Sequence, residues 1–514
     1  MALKDNGRLS RRQALKALTM ATSGAALSPL LSACRMDQFG PEQEEKTGYK
    51  KEQLNDGKPK FLITLCATGG ASIVDSFLAV RNSECPNTAT LNTFPDADVA
   101  TIVGSPFRAV RYSASAMGAI PIPVNTDQTA FVNKHKAEML VATNLGTSVN
   151  HVIAQKRSIT GNGAWKGRTL QECVALQYGA GFPLPNVNMS VGGYIERGVD
   201  DALPAWAYAE TLAQPALWPL GLDGVKGLKG VPDRSLVDLA RKLRNEKLDP
   251  ESVFAQTFQK SERLKRWYDQ RGQSQQSIEA LDLITKLNIL PDTPPQIPLT
   301  EYGLGVSPDA TALRTRFPNF FTDPVEGQAA LAFLLLKYRV SCAVTLSPTF
   351  NVVIAGSQLG NPPLAFDFSH QDHRGAQAFM WGKMLSLVDR LSDLLKAEPF
   401  AEVPGQSLWD RTMIYIATDF GRTRTRLGGA TNFSTGHDMN NGIVMFSPMV
   451  DGNRILGSVD PLTTYTRGFN PETGVTDLGV ISNERDNFAG ILHTLGVDTT
   501  GSGLPDARAY RKVA

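Results

Sequence analysis

Five short, nearly unbroken apolar runs constrain this chain's fold more than any other feature. They are Phe61-Leu62-Ile63-Thr64-Leu65-Cys66, Met139-Leu140-Val141-Ala142, Val340 to Leu346, Met413 to Ala417, and Ile443 to Phe446. A strand with one wet face alternates polar and apolar residues. A strand that is apolar throughout is covered on both faces, as in a parallel sheet between helices. The intervening sequence supplies such helices. Residues 375–396 place Met380, Met384, Leu387, Val388, Leu391 and Leu395 three and four apart, with Lys383, Asp389, Arg390, Asp393 and Lys396 elsewhere. That spacing predicts an amphipathic helix lying on a sheet, and residues 326–338 and 485–495 offer two more. The expected class is α/β, a mainly parallel sheet sandwiched by helices.

The N-terminal segment has a different purpose. Ser10, Arg11 and Arg12, followed by Gln13-Ala14-Leu15-Lys16, have the form of a twin-arginine export signal. Residues 17–33 carry no charge, and the run is too short and too weakly apolar for a comfortable membrane span, which needs about 20 mostly apolar residues. It ends in Leu31-Ser32-Ala33-Cys34, a lipobox-like site. The expectation is a signal peptide over 1–33, passage through the twin-arginine translocase, and a lipid on Cys34 tethering the exported protein to a bacterial membrane at its periplasmic or surface face. Residues 34–58 are polar and read as a flexible spacer. The core is expected to span 59–195 and 321–514. Between them, 196–320 has a Trp- and Pro-bearing stretch, helical patterns at 235–247 and about 250–290, and breaks at Pro291, Pro294, Pro295 and Pro298, reading as a helical insertion or cap.

From Cys34 onward the chain holds 47 basic and 49 acidic residues. No clustered basic excess points to nucleic acid. Cys66, Cys85, Cys173 and Cys342 form no CxxC pair, which argues against a thiolate metal site. Cys66 and Cys342 sit in apolar runs as core residues, and a Cys85–Cys173 bridge is open in an oxidising compartment.

Chemistry-bearing residues cluster in loops after the expected strands, where α/β folds gather ligand-binding groups. Thr68-Gly69-Gly70-Ala71-Ser72 combines a tight glycine turn with hydroxyls at Thr68 and Ser72, and Asp75 follows as a hard oxygen ligand. Ser72 is equally suited to capping the next helix. Asn150-His151 heads a helical segment where an anionic oxygen would be favoured, with Asn150 or Ser148 as the alternative N-cap. Asp367-Phe368-Ser369-His370-Gln371-Asp372-His373 is the densest Asp/His group, a mixture suited to Zn²⁺, Mn²⁺ or similar ions. Asp419 ends a strand, and Arg422 can clamp an oxyanion or pair with that acid. His437-Asp438 precedes the last core strand, while His135 and His493 read as structural.

Taken in order, these clusters resemble the exported bacterial family of domain of unknown function 1501, in the alkaline phosphatase and sulfatase superfamily. Gly69-Gly70-Ala71-Ser72 with Asp75 and Phe77 is similar to that family's opening GG-P-S-x-x-D-x-F. Asn150-His151, Gly161 and Trp165-Lys166-Gly167-Arg168 resemble its second block. Asp419-Phe420-Gly421-Arg422-Thr423 resembles E-F-G-R-T with the acid shortened, and His437 falls where the family has D-H. The D-T-H block has become Asp367-Phe368-Ser369-His370, with Asp372-His373 an alternative register. The resemblance implies an alkaline phosphatase-like core and divalent metal ions (Zn, Mn, Mg or Ca) held by Asp75, Asp367, His370, Asp372, His373, Asp419 and His437. The superfamily uses a Ser, Thr or modified Cys nucleophile, which the resemblance does not place in this chain; the leading reading takes Ser72 as nucleophile, with His151 orienting substrate, Arg422 steadying the oxyanion, and a phosphate or sulfate ester as substrate. The other reading is a binding or assembly lipoprotein that keeps the fold without the chemistry.

Overall fold

The computed structural model describes residues 56–112, 127–222, 229–268, 282–348 and 365–512, apart from 231, 266, 427–429, 431 and 432, together with the short pieces 353–354 and 357–358. The export signal, Cys34 and most of the spacer lie outside the described residues. Eight strands form one sheet: β1 (Phe61–Ala67), β2 (Met139–Leu145), β3 (Asn186–Asn188), β4 (Glu210–Thr211), β5 (Ala343–Leu346), β6 (Thr412–Thr418), β7 (Asn440–Phe446) and β8 (Arg454–Leu456). Their order is β8-β2-β7-β6-β1-β5-β3-β4. Every neighbouring pair is parallel except the two made by β7, which runs against β6 and β2. The class is α/β with a large, mostly parallel mixed sheet.

β1 and β6 lie at its centre and are buried at every position, as their unbroken apolar composition requires. They pair in phase from Phe61 opposite Thr412 to Ala67 opposite Thr418, so both strands end at the same level. Helices α1 (His151–Thr160), α2 (Leu170–Tyr178), α3 (Arg234–Leu243), α4 (Pro324–Lys337), α5 (His373–Ala397) and α6 (Glu484–Thr494) follow in chain order. α1 packs on β6 and α6, while α4 packs on β5 and α5. Their starts are written locally. Asn150 accepts from Ile153 N at α1, Asp323 from Val325 N at α4, and Asp372 from Gly375 N at α5, each satisfying an orphan helix donor.

The segment 196–320 is less separate than its sequence suggests. Glu210–Thr211 adds the sheet's edge strand beside β3, and Leu283, Leu287, Leu290, Leu313 and Phe317 join the main core. Helix is confirmed over 234–243. The pattern at about 250–290 gives helix at Val253–Thr257, 262–265, 267–268 and Leu283–Leu287, and residues 269–281 lie outside the described residues.

All four described cysteines are free and buried. The open Cys85–Cys173 bridge is therefore absent; Cys173 is packed into the main core. No described helix is long and apolar enough to cross a membrane. Where the spacer enters the fold, Arg411 grips Asp56 bidentately at 2.6 and 2.7 Å and donates to the carbonyls of Lys58 and Pro59. This clamp stands at the N-terminal end of β1.

Candidate metal centre

The opposite, C-terminal ends of the strands carry the polar loops. Gly69 and Gly70, directly after β1, have φ of +97° and +86°, a region that glycine occupies without a Cβ penalty. Their N–H groups both donate to Asp419, which follows β6, at 3.1 Å to Oδ2 and 2.6 Å to Oδ1. The glycine turn thus uses its amides to grip a carboxylate of the protein itself. Thr418 Oγ1 accepts from Ala71 N at 3.0 Å, tightening the same join.

Asp419, held this way and with its side chain fully buried, orients His151 at the head of α1. His151 Nδ1 lies 2.8 Å from Asp419 Oδ2. Donation from Nδ1 leaves Nε2 directed at Asp367 Oδ1, 3.3 Å away. His437 is fixed in the same sense: its Nδ1 donates to Val149 O at 2.8 Å, and its Nε2 lies 3.6 Å from Asp367 Oδ1. The buried Phe420 ring stacks on His437 with centroids 4.0 Å apart and lies 4.7 Å from His151, forming an apolar floor under both imidazoles.

His151, Asp367 and His437 form a candidate metal-binding triad whose ligand atoms all lie within 4.8 Å of one another. His370 Nε2 stands 3.3 Å from Asp367 Oδ1 and 2.8 Å from His437 Nε2. Bonds of roughly 2.0–2.2 Å in a tetrahedron put ligand atoms about 3.4 Å apart, so spacings of 3.3 and 3.6 Å around Asp367 suit a small cation. The second partners of His151 and His437 are the carboxylate and backbone carbonyl that commonly orient metal-bound imidazoles. The donor set, imidazole with one carboxylate, fits a borderline divalent metal.

The imidazoles of the cluster differ in charge. Burial works to lower His151, but its hydrogen bonds to Asp367 and Asp419 outweigh that and hold it up at about 9. Burial works to raise Asp367, yet His151 and Arg422 hold it well below the usual carboxylate range. His370 and His437 are lowered, first by burial and then by the charges of Arg422 and His151, which favours neutral imidazoles able to bind a cation.

The structure divides the sequence-derived site residues into two groups. Asp367, His370, His437, His151 and Asp419 converge, with Asp419 one step behind His151. Arg422 also belongs here, but its buried side chain donates to Gly69 O and, at 2.7 Å, to Asp367 Oδ1. It therefore braces the acid and the glycine turn. Asp372 is engaged as the α5 cap. His373 and Asp75 form a separate, fully buried pair, Nε2 to Oδ2 at 2.9 Å, joined by Asn92 Nδ2 at 2.9 Å from the same oxygen. There His373 Nδ1 meets Thr435 Oγ1 at 2.9 Å and Arg374 lies 3.7 Å from Asp75. Burial works to raise Asp75, but His373 and Arg374 prevail and hold it at about 2. Ser72 is buried, with its backbone N–H held by Gln377. Of the two registers left open in the Asp/His cluster, Asp367/His370 faces the triad and Asp372/His373 faces inward.

Sequence reasoning missed two amides. Gln377, on the apolar side of α5, accepts from Ser72 N at 2.9 Å and donates to Gly70 O at 3.0 Å. Asn441, in β7, donates to Ala71 O and Phe420 O and accepts from Ile73 N. Gln377 had a readable signal: it lies three and seven residues before Met380 and Met384, a polar residue on a stripe that is otherwise core.

No family model matches the chain, and no curated protein matches it. A solved structure described as "Crystal structure of Ps i-CgsB" overlaps 88% of this chain and 75% of its own at 9% identity, with a TM-score of 0.30. A likeness that weak carries no argument.

Proposed function

We propose that this chain is an exported, lipid-anchored, metal-dependent hydrolase of phosphate or sulfate esters with an alkaline phosphatase-like core. The observation that carries the proposal is the convergence of three imidazole Nε2 atoms on Asp367 Oδ1 at 3.3, 3.3 and 3.6 Å, at the strand ends where α/β folds bind ligands. The resemblance to the family of domain of unknown function 1501 supplies the reaction class, and the Arg11-Arg12 and Cys34 motifs supply export and tethering.

A divalent cation held by His151, Asp367 and His437 would polarise the ester and offset charge developing on its oxygens. The protein's own part is orientation. Asp419 fixes the His151 ring, Val149 O fixes His437, and Arg422 with the glycine turn keeps Asp367 in place. His370, nearly half exposed, lines the open side of the triad, where it can hydrogen-bond to a bound ester or water.

One observation favours the second reading, a binding or assembly lipoprotein. Ser72 is 3% exposed and its turn is held by Gln377, so the hydroxyl taken as nucleophile lies within the core. Metal analysis of the purified mature protein, with turnover of aryl phosphate and aryl sulfate under added Zn²⁺, Mn²⁺, Mg²⁺ or Ca²⁺, separates the readings. The hydrolase reading expects retained metal and turnover lost in His151→Ala and Asp367→Asn. Neither metal nor turnover in any condition defeats it.

A further inference from the structure

The strongest feature outside the metal centre is the arm at 229–268. α3 presents Leu236, Leu239 and Leu243, which are 59%, 62% and 47% exposed, along one stripe. The stripe follows from the spacing of three and four that puts residues on one helix face. Farther along the arm, Val253, Phe254 and Phe258 are 79%, 57% and 50% exposed. Scattered exposed apolar residues are ordinary, but eight large ones on one short arm, with Leu248 and Trp267 included, are a surface awaiting cover.

The charge of the arm indicates what covers it. Residues 229–268 hold ten Lys and Arg against six Asp and Glu, while the rest of the chain from Cys34 holds 37 basic against 43 acidic residues. The basic excess is therefore local to the segment that exposes Leu, Val and Phe. Two copies meeting arm to arm would set like charge against like. An anionic lipid surface offers acyl chains to the apolar stripe and phosphate headgroups to the Lys and Arg beside it.

We propose that the 229–268 arm is an interfacial membrane-binding element that lies against anionic phospholipid. It acts in addition to any lipid on Cys34 and does not depend on the metal centre being catalytic. Residues 35–55 reach at most roughly 70 Å when extended, so anchoring at Cys34 would hold the entry of the fold at Asp56 within that distance of a bilayer.

The test uses the full mature chain with Cys34→Ser, so that no acyl chain contributes. Sedimentation with phosphatidylglycerol/phosphatidylcholine vesicles is compared with sedimentation on phosphatidylcholine alone, at low and high salt. The expected result is binding about tenfold stronger to the anionic vesicles, weakened by salt and abolished by Leu239→Glu/Phe254→Glu. An unchanged melting temperature of the variant shows that the fold survives, as expected for exposed positions. Equal sedimentation on both vesicle types, binding that survives the double substitution, or no binding overturns the proposal. So does a concentration-dependent dimer that the substitution dissolves, because the surface would then belong to a second copy.

Discussion

Gly69→Ala is the sharpest test of how the glycine turn builds the metal centre. A Cβ at residue 69 would lie 2.2 Å from Asp367 N and 2.7 Å from Asp367 Cβ, and the backbone there has φ of +97°. Two costs add. A side chain in a left-handed conformation costs about 1–2 kcal/mol, and overpacking against backbone costs about 1–3 kcal/mol. The expected loss of stability is therefore about 2–5 kcal/mol. The contact falls on Asp367, so the larger consequence is local: the hub of the imidazole cluster is pushed out of place. Gly104→Ala is the matched control, with φ of +67° and nothing within 4 Å of its Cβ; it carries the conformational cost alone. Denaturant unfolding gives the stability difference, and titration calorimetry with Zn²⁺ gives affinity. Gly69→Ala should be the less stable variant and bind Zn²⁺ at least about tenfold more weakly than wild type, a loss of 1.4 kcal/mol or more. Gly104→Ala should bind as wild type does. Equal stability losses together with unchanged Zn²⁺ affinity would refute the steric account of the site.

The remaining expectations concern charge and thiols. His151, held at about 9, is protonated at neutral pH without a cation, so a metal must displace that proton. Apparent Zn²⁺ affinity should rise about tenfold per pH unit from 7 towards 9, with about one proton released per ion at pH 7; calorimetry in two buffers of different ionisation enthalpy checks this, and a flat profile contradicts it. Without metal the sign reverses: the stability contributed by protonated His151 is complete below its ordinary value near 6.5 and is lost as pH rises through 9, which pH-dependent melting reads. Asp75→Asn should cost about 3–5 kcal/mol by leaving Arg374 without its buried counter-charge and His373 Nε2 without its carboxylate partner. It should leave metal stoichiometry unchanged, and loss of the metal would place Asp75 in the metal centre after all. In a Cys34→Ser chain no thiol should react with an aromatic disulfide reagent before unfolding and four should react afterwards, since all four are buried and free.

The parts of this fold that are legible in sequence are those where one residue type has one physical use. The apolar runs at 61–66 and 413–417 state their burial on both faces, and the structure pairs them at the centre of the sheet. The cap at Asn150 is local in the same way. The Asp/His cluster was harder to read because its seven residues serve three purposes. Asp367 and His370 face the triad, Asp372 caps α5, and His373 turns inward to Asp75. A helix begins within the cluster, so adjacent side chains leave in different directions, and composition alone carries no sign of that. Arg422 was equally ambiguous between a ligand clamp and an ion pair. What decides is its neighbour Gly69, 353 residues away in sequence.

The Asp56–Arg411 clamp and the metal centre lie at opposite ends of the central strands. β1 alone, seven residues long, separates them by about 23 Å. A bead, electrode or fluorophore coupled through position 34 would therefore pull on an end of the sheet remote from the imidazoles. Immobilised through position 34, the protein should present its imidazole-bearing edge unobstructed, which makes single-molecule and surface-based readouts of metal exchange practical.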